Sequence, residues 1–171
     1  LILRAVGNDK VRAVNLATAT GTGLDNLAAL FGVERLVITP AQPLAVPPLP
    51  AVMESDDALR RRTQISLEGF TTAGSRGSYE FHARSADGRV RDVSVLSPTP
   101  GTVQVVVISH DNAGVASADL LGAVTNALND DEVRPLTDTL VVQAGTMTDF
   151  AVDATIRLGA APGAAEELAA A

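Results

Sequence analysis

The feature that most narrows what this chain can become is a pair of valine runs around a proline–glycine reversal. Val90, Val93 and Val95 precede "SPTPG", and Val103, Val105 and Val107 follow it. A two-residue period puts every second side chain on one face, and β-branched residues suit a pleated surface. Pro98 to Gly101 supply the turn, because proline presets one dihedral and glycine accepts a positive φ. The segment predicts a β-hairpin with one apolar face, and a lone hairpin is too small to be stable without a cover.

Candidate covers lie on both sides. Upstream, Ser55, Asp56 and Asp57 offer an N-cap and first-turn acids to a helix carrying Arg60, Arg61 and Arg62, with Gly69 as its stop. A second helix starts between Ser75 and Ser78 and carries Tyr79, Phe81, His82, Ala83 and Ala86. Downstream, Ser117 or Asp119 caps a helix with Leu120, Leu121, Val124, Ala127 and Leu128 on one face. Leu140, Val142 and Ala144 then alternate as a third strand, and Phe150, Val152, Ala154, Ile156 and Leu158 as a fourth. Pro162 and Gly163 open a last helix. A helix lies between Ile108 and Leu140, so the second and third strands read as parallel, joined by a right-handed crossover. The prediction is an α+β fold. An N-terminal helical part precedes a four-stranded mixed sheet with helices on one face, in the order strand-strand-helix-strand-strand-helix.

The N-terminal part reads as a short helical hairpin. Leu3, Val6, Val11, Val14 and Leu16 form an imperfect stripe broken by Gly7. Thr22 then caps a second helix of Leu24, Leu27, Leu30 and Phe31, which Gly32 ends. Thr39 to Pro50 holds five prolines, which remove backbone donors and favour extended chain. It predicts a connector, partly polyproline II, packed down by Leu44, Val46 and Leu49. The expected organisation is a helical segment at 1–37, the connector at 38–53, a helical pair at 54–88, the sheet domain at 89–159 and a helix start at 160–171. A first residue of Leu and an alanine-rich end read as part of a longer protein.

Composition decides which chemistries are open. With aromatics at 3% and no Trp, the core must come from Val, Leu, Ile and Ala. The lack of Cys excludes disulfides, thiolate metal sites and a Cys nucleophile. No apolar run approaches the roughly 20 residues of a membrane span. The net charge of −7 argues against a phosphate-binding surface, since nucleic-acid affinity rests on clustered Lys and Arg. Its distribution is uneven: residues 1–92 hold eleven bases and ten acids, residues 93–171 two bases and ten acids. Plain solubility accounts for such asymmetry; so does complementarity between neighbouring copies or partners.

Residues able to carry chemistry are present but unassembled. "GTGLDN" has Gly21, Gly23 and Asp25 but lacks the third glycine and the preceding strand of a dinucleotide site, so it reads as a helix break and no cofactor is expected. His82 and His110 lack the i, i+4 partners a metal site wants, so no metal is expected. No G-x-S-x-G elbow occurs, and Asp130, Asp131 and Glu132 read as solvated acids after a helix. The chain is therefore not expected to be an enzyme. The alternatives left are a hydrolase using His110 and Asp111, or a small-ligand binding module testable by thermal stabilisation. Arg60, Arg61 and Arg62 fan over about 200° of a helix, so they cannot share one partner. One is expected to be buried against a carboxylate, with the other two solvated.

The stretch "DDALRRR…AGSRGSYEFHARSADGRVRDVSVLSPTPGTVQVVV", with "NLATATGTGLDNLAALFGVER" before it and "VRPLTDTLVVQA" after it, resembles the baseplate J-like family of contractile phage tails. The likeness runs from about Asn15 to Leu158. It implies a structural component of the tail baseplate, made in the bacterial cytoplasm and sited in the virion tail. Its partners would be other wedge and hub proteins and copies of itself in a ring, with no nucleic acid and no membrane. A phage-derived bacterial injection machine is the alternative within that class. In the family pattern an arginine follows "DD-x-L". Arg60 matches that place and Arg62 the following one, Asp56 and Asp57 are their expected acids, and Tyr79 joins them as a candidate structural or interface residue.

Overall fold

The computed structural model describes residues 11–12, 14–71 and 74–154. Its elements are α1 (Gly21–Ala29), β1 (Val37–Thr39), β2 (Val52–Met53), α2 (Asp56–Ile65), a 3-10 turn (Ser66–Phe70), α3 (Arg76–Ser85), β3 (Val90–Leu96), β4 (Thr102–Ser109), α4 (Ala118–Leu128) and β5 (Thr139–Ala144). The fold is α+β.

The valine runs form the expected hairpin. β3 and β4 pair antiparallel with Val93 opposite Val107 and Val95 opposite Val105. Gly101 closes the turn at φ +76°, where a side chain would be strained. β5 joins β4 in parallel, with Val105 opposite Val142, after the crossover through α4. Val93, Val95, Val105 and Val107 point to one face, where Tyr79 and Ala83 of α3 and Leu120, Val124 and Leu128 of α4 meet them. Full burial of each such valine or leucine contributes about 1.5–3 kcal/mol.

The described sheet has three strands, in the order β3-β4-β5, and not four. Residues 149–154 make no strand, Phe150 and Val152 stand exposed, and residues 155–158 lie outside the described residues, as does the helix expected from Pro162. The reason is the path after β5. The Gly145 N–H donates to Val107 O, and Met147 packs against Gly114. The chain therefore crosses the end of β4 and does not turn back along the open edge of β5.

A second, smaller cluster holds Ala19, Leu24, Ala28, Val33 and Leu59. The first helix of the predicted N-terminal hairpin falls mostly outside the described residues. The second is α1, but its N-cap is Thr20, not Thr22, and no side chain of its own caps it. α3 serves both clusters: Tyr79 and Ala83 face the sheet, and Phe81, on the other side of the helix, packs against the smaller cluster.

The proline stretch is not a packed connector but an arm. β1 and β2 pair antiparallel, and Gln42 and Leu49 exchange two backbone hydrogen bonds farther out. Prolines lack the N–H needed to extend the ladder, so pairing stays broken and short. Leu44 and Val46 sit near the tip at 95% and 98% exposure. At its base the arm is held tightly. A Cβ added to Gly88 would lie 2.2 Å from Val37 O, so the turn entering β3 abuts β1 at the closest possible range.

Candidate structural and contact site

The predicted helix from Asp56 forms because Ser55 caps it, its Oγ accepting from the Ala58 N–H at 3.3 Å. Asp56 and Asp57 occupy the first turn. Arg60, Arg61 and Arg62 then diverge as the helical period requires, each to a different fate.

Arg62 is buried against a carboxylate, and that carboxylate is Glu54. Arg62 Nε donates to Glu54 Oε1 at 2.9 Å and Nη2 to Oε2 at 2.6 Å, with the two residues only 4% and 8% exposed. The fork goes on to Glu34 O and Ser85 Oγ, while Glu54 Oε2 also accepts from the Leu36 N–H. One buried pair thus joins β2, the approach to β1, α2 and α3. The planar guanidinium suits this role because it fixes several acceptors at once.

Arg60 is not solvated as the fan of three suggested. It reaches back to Leu16 O at 2.9 Å and Ala19 O at 2.7 Å, and pairs with Asp57 at 2.6 Å. It ties the segment before α1 to α2. Arg61 alone is exposed, donating to Asp57 O.

Asp56 pairs with neither Arg60 nor Arg62. Its Oδ2 accepts from the Gly21 N–H at 3.1 Å, at the start of α1, and its Oδ1 takes Arg35 Nη2 at 2.7 Å. Asp56 supplies from across the junction the cap that α1 lacks, and its charge faces the positive helix end. The Gly21 N–H, then the Arg35 guanidinium, hold its carboxyl below the usual aspartate range. Arg35 also bonds Asp25 Oδ1 and Glu54 O.

Tyr79 is a core residue, 1% exposed, whose Oη donates to Asp138 Oδ2 at 2.8 Å. Burial, then the adjacent carboxylate, raise its pKa well above the ordinary phenol value. The link connects α3 to the segment entering β5. A further cluster went unnoticed in the sequence. Arg89 grips Asp87 with two nitrogens and reaches Asp119 at 2.7 Å, joining the start of β3 to the first turn of α4. Ser117, then Arg89, hold the Asp119 carboxyl at about 2.

The two histidines considered for catalysis lie on different elements. His82 stacks edge-on to Phe81 and touches Gly69 O. His110 and Asp111 are exposed at the end of β4, and the Ser109 hydroxyl between that strand and Asp111 is engaged with Arg89 O and the Asp111 N–H.

Sequence reasoning named Asp56, Asp57, Arg60, Arg62 and Tyr79, and missed Arg35, Glu54 and Arg89. A signal existed for two of these. Arg35 and Glu54 each interrupt an apolar run, "VERLVI" and "AVMES", where a charge needs a partner to be tolerated.

Residues 1–42 match the baseplate J-like N-terminal domain, and residues 71–144 match the baseplate J-like central domain. The chain is also similar to Baseplate protein J of Escherichia phage P2, with 49% identity over 162 residues, which is 95% of this chain. The match covers 54% of that relative, so the chain spans about half its length.

Proposed function

Because the chain belongs to the baseplate J-like family, we propose that it is a structural part of a contractile tail baseplate, acting by contact with neighbouring subunits and not by catalysis. The observation that carries this reading is the 49% identity to Baseplate protein J of Escherichia phage P2 through nearly the whole chain. Several structural features support it. The arginines of the junction are spent on internal carboxylates and carbonyls, which stiffens the helical part. Apolar side chains on the arm and beside the 3-10 turn remain exposed, as subunit contacts require. Partners in this proposal are other baseplate proteins and further copies of the chain around the tail axis. The sites of action are the virion tail and, during assembly, the host cytoplasm.

The test is negative-stain imaging of particles from a strain lacking the gene. Tails without baseplates, restored by the wild-type gene and by a His110→Ala version alike, are the expected result. Intact infective tails in the deletion strain would end the proposal, and rescue that needs His110 would turn it toward the hydrolase.

A further inference from the structure

Where α1, the 3-10 turn and α3 meet, three large apolar side chains stand outside both cores. Leu30, Leu67 and Phe70 are 79%, 62% and 76% exposed. With Phe31, Phe81 and His82 they line an open groove of about 440 Å³. Through Gly69, Phe70 and His82 this groove runs into a second depression, whose other wall carries Asp130, Asp131 and Glu132. Those three carboxylates have no ion-pair partner among the described residues. An apolar trough therefore ends at a concentrated negative charge.

That pairing selects one kind of occupant. The trough walls are the end of α1, the 3-10 turn and the middle of α3, with no strand edge among the described residues that line it, so an extended peptide would find no backbone ladder to join. A helix satisfies its own backbone and can lay one apolar side into the trough. The carboxylates repel nucleic acid and anionic lipid and attract lysine or arginine. We propose that this groove receives an amphipathic helix of a neighbouring protein, its apolar side on Leu30, Leu67 and Phe70 and its basic residues over Asp130, Asp131 and Glu132. The proposal rests on the contact role argued above and names the partner's chemistry.

The experiment places the photoreactive analogue p-benzoylphenylalanine at position 70, and separately at 67, in tails assembled from the full-length gene product. Both positions are exposed, so folding is spared. Irradiation is expected to link each probe to a lysine- or arginine-bearing helix of one other tail protein, mapped by mass spectrometry. Links confined to a second copy of this protein or to its own polypeptide, or no link, would overturn the proposal. Asp130→Asn, Asp131→Asn and Glu132→Gln together are expected to lower the yield about tenfold at low salt, with the gap narrowing as salt screens it. An unchanged yield would refute the basic partner. Infective particles formed without the protein would defeat the contact role itself, a result distinct from particles that require it but show no link.

Discussion

The two clusters of this molecule are held by different means. The sheet core is aliphatic: valines of β3 and β4 meet leucines of α4 across a plain apolar layer. The helical junction has few buried aliphatics and is closed by Arg35, Arg60 and Arg62, whose forks take carboxylates and main-chain oxygens. The first arrangement needs volume and pattern; the second needs particular atoms in particular places. Apolar packing accepts exchanges of similar size, whereas a buried ion pair leaves an uncompensated charge when one partner goes. The junction should therefore be the less forgiving half.

The contrast is most exposed at Arg62. Arg62→Ala strands Glu54 in a site that water barely reaches, and the expected loss is about 3–5 kcal/mol in urea unfolding. A loss below roughly 1 kcal/mol, the scale of a surface pair, would show that the junction depends on its aliphatics after all. Leu120→Met in the sheet core keeps volume and should cost less than about 1.5 kcal/mol. A larger cost there would erase the distinction between the halves.

Asp56→Asn gives the smallest effect and the most specific one. The asparagine can still accept from Gly21 but loses its charge at the helix end, for an expected loss of about 0.3–1 kcal/mol near neutral pH. The folded pKa of Asp56 lies below its unfolded value. Its contribution is therefore complete above about pH 3.9, the ordinary aspartate value, and fades as pH falls through the folded pKa. Stability curves of wild type and variant should run apart at pH 7 and converge in acid. A gap that stays constant down to pH 2 would mean that Asp56 acts through shape alone.

How much of this was readable without coordinates follows the same division. The hairpin, the parallel crossover and the α4 face were legible because period, turn residues and caps are local signals. The fate of Phe150 to Ala154 was not. Alternation marks a segment able to pair, and pairing here was decided by where Gly145 and Met147 sent the chain. Asp56, Arg60 and Arg62 were recognisable as residues of consequence, and Asp57 as an acid for Arg60, but Arg35 and Glu54 as the partners of Asp56 and Arg62 were not. Glu54 meets Arg62 from just ahead of α2, and it takes the Leu36 N–H as well because the arm folds back and brings β2 beside the approach to β1. Arginine pairing here mixes ranges: Arg60 takes the neighbouring Asp57, whereas Asp56 takes Arg35 from well back in the chain. Tyr79, legible as either a structural or an interface residue, lies inward with its hydroxyl on Asp138.

The middle helix gives this division a mechanical meaning. α3 lends Tyr79 and Ala83 to one side and Phe81 to the other, so neither half owns it. A load on the arginine-rich end would therefore reach the strands through one helix built into both packings. Heating should accordingly melt both ends in one step, and the whole piece would move as a single lever arm.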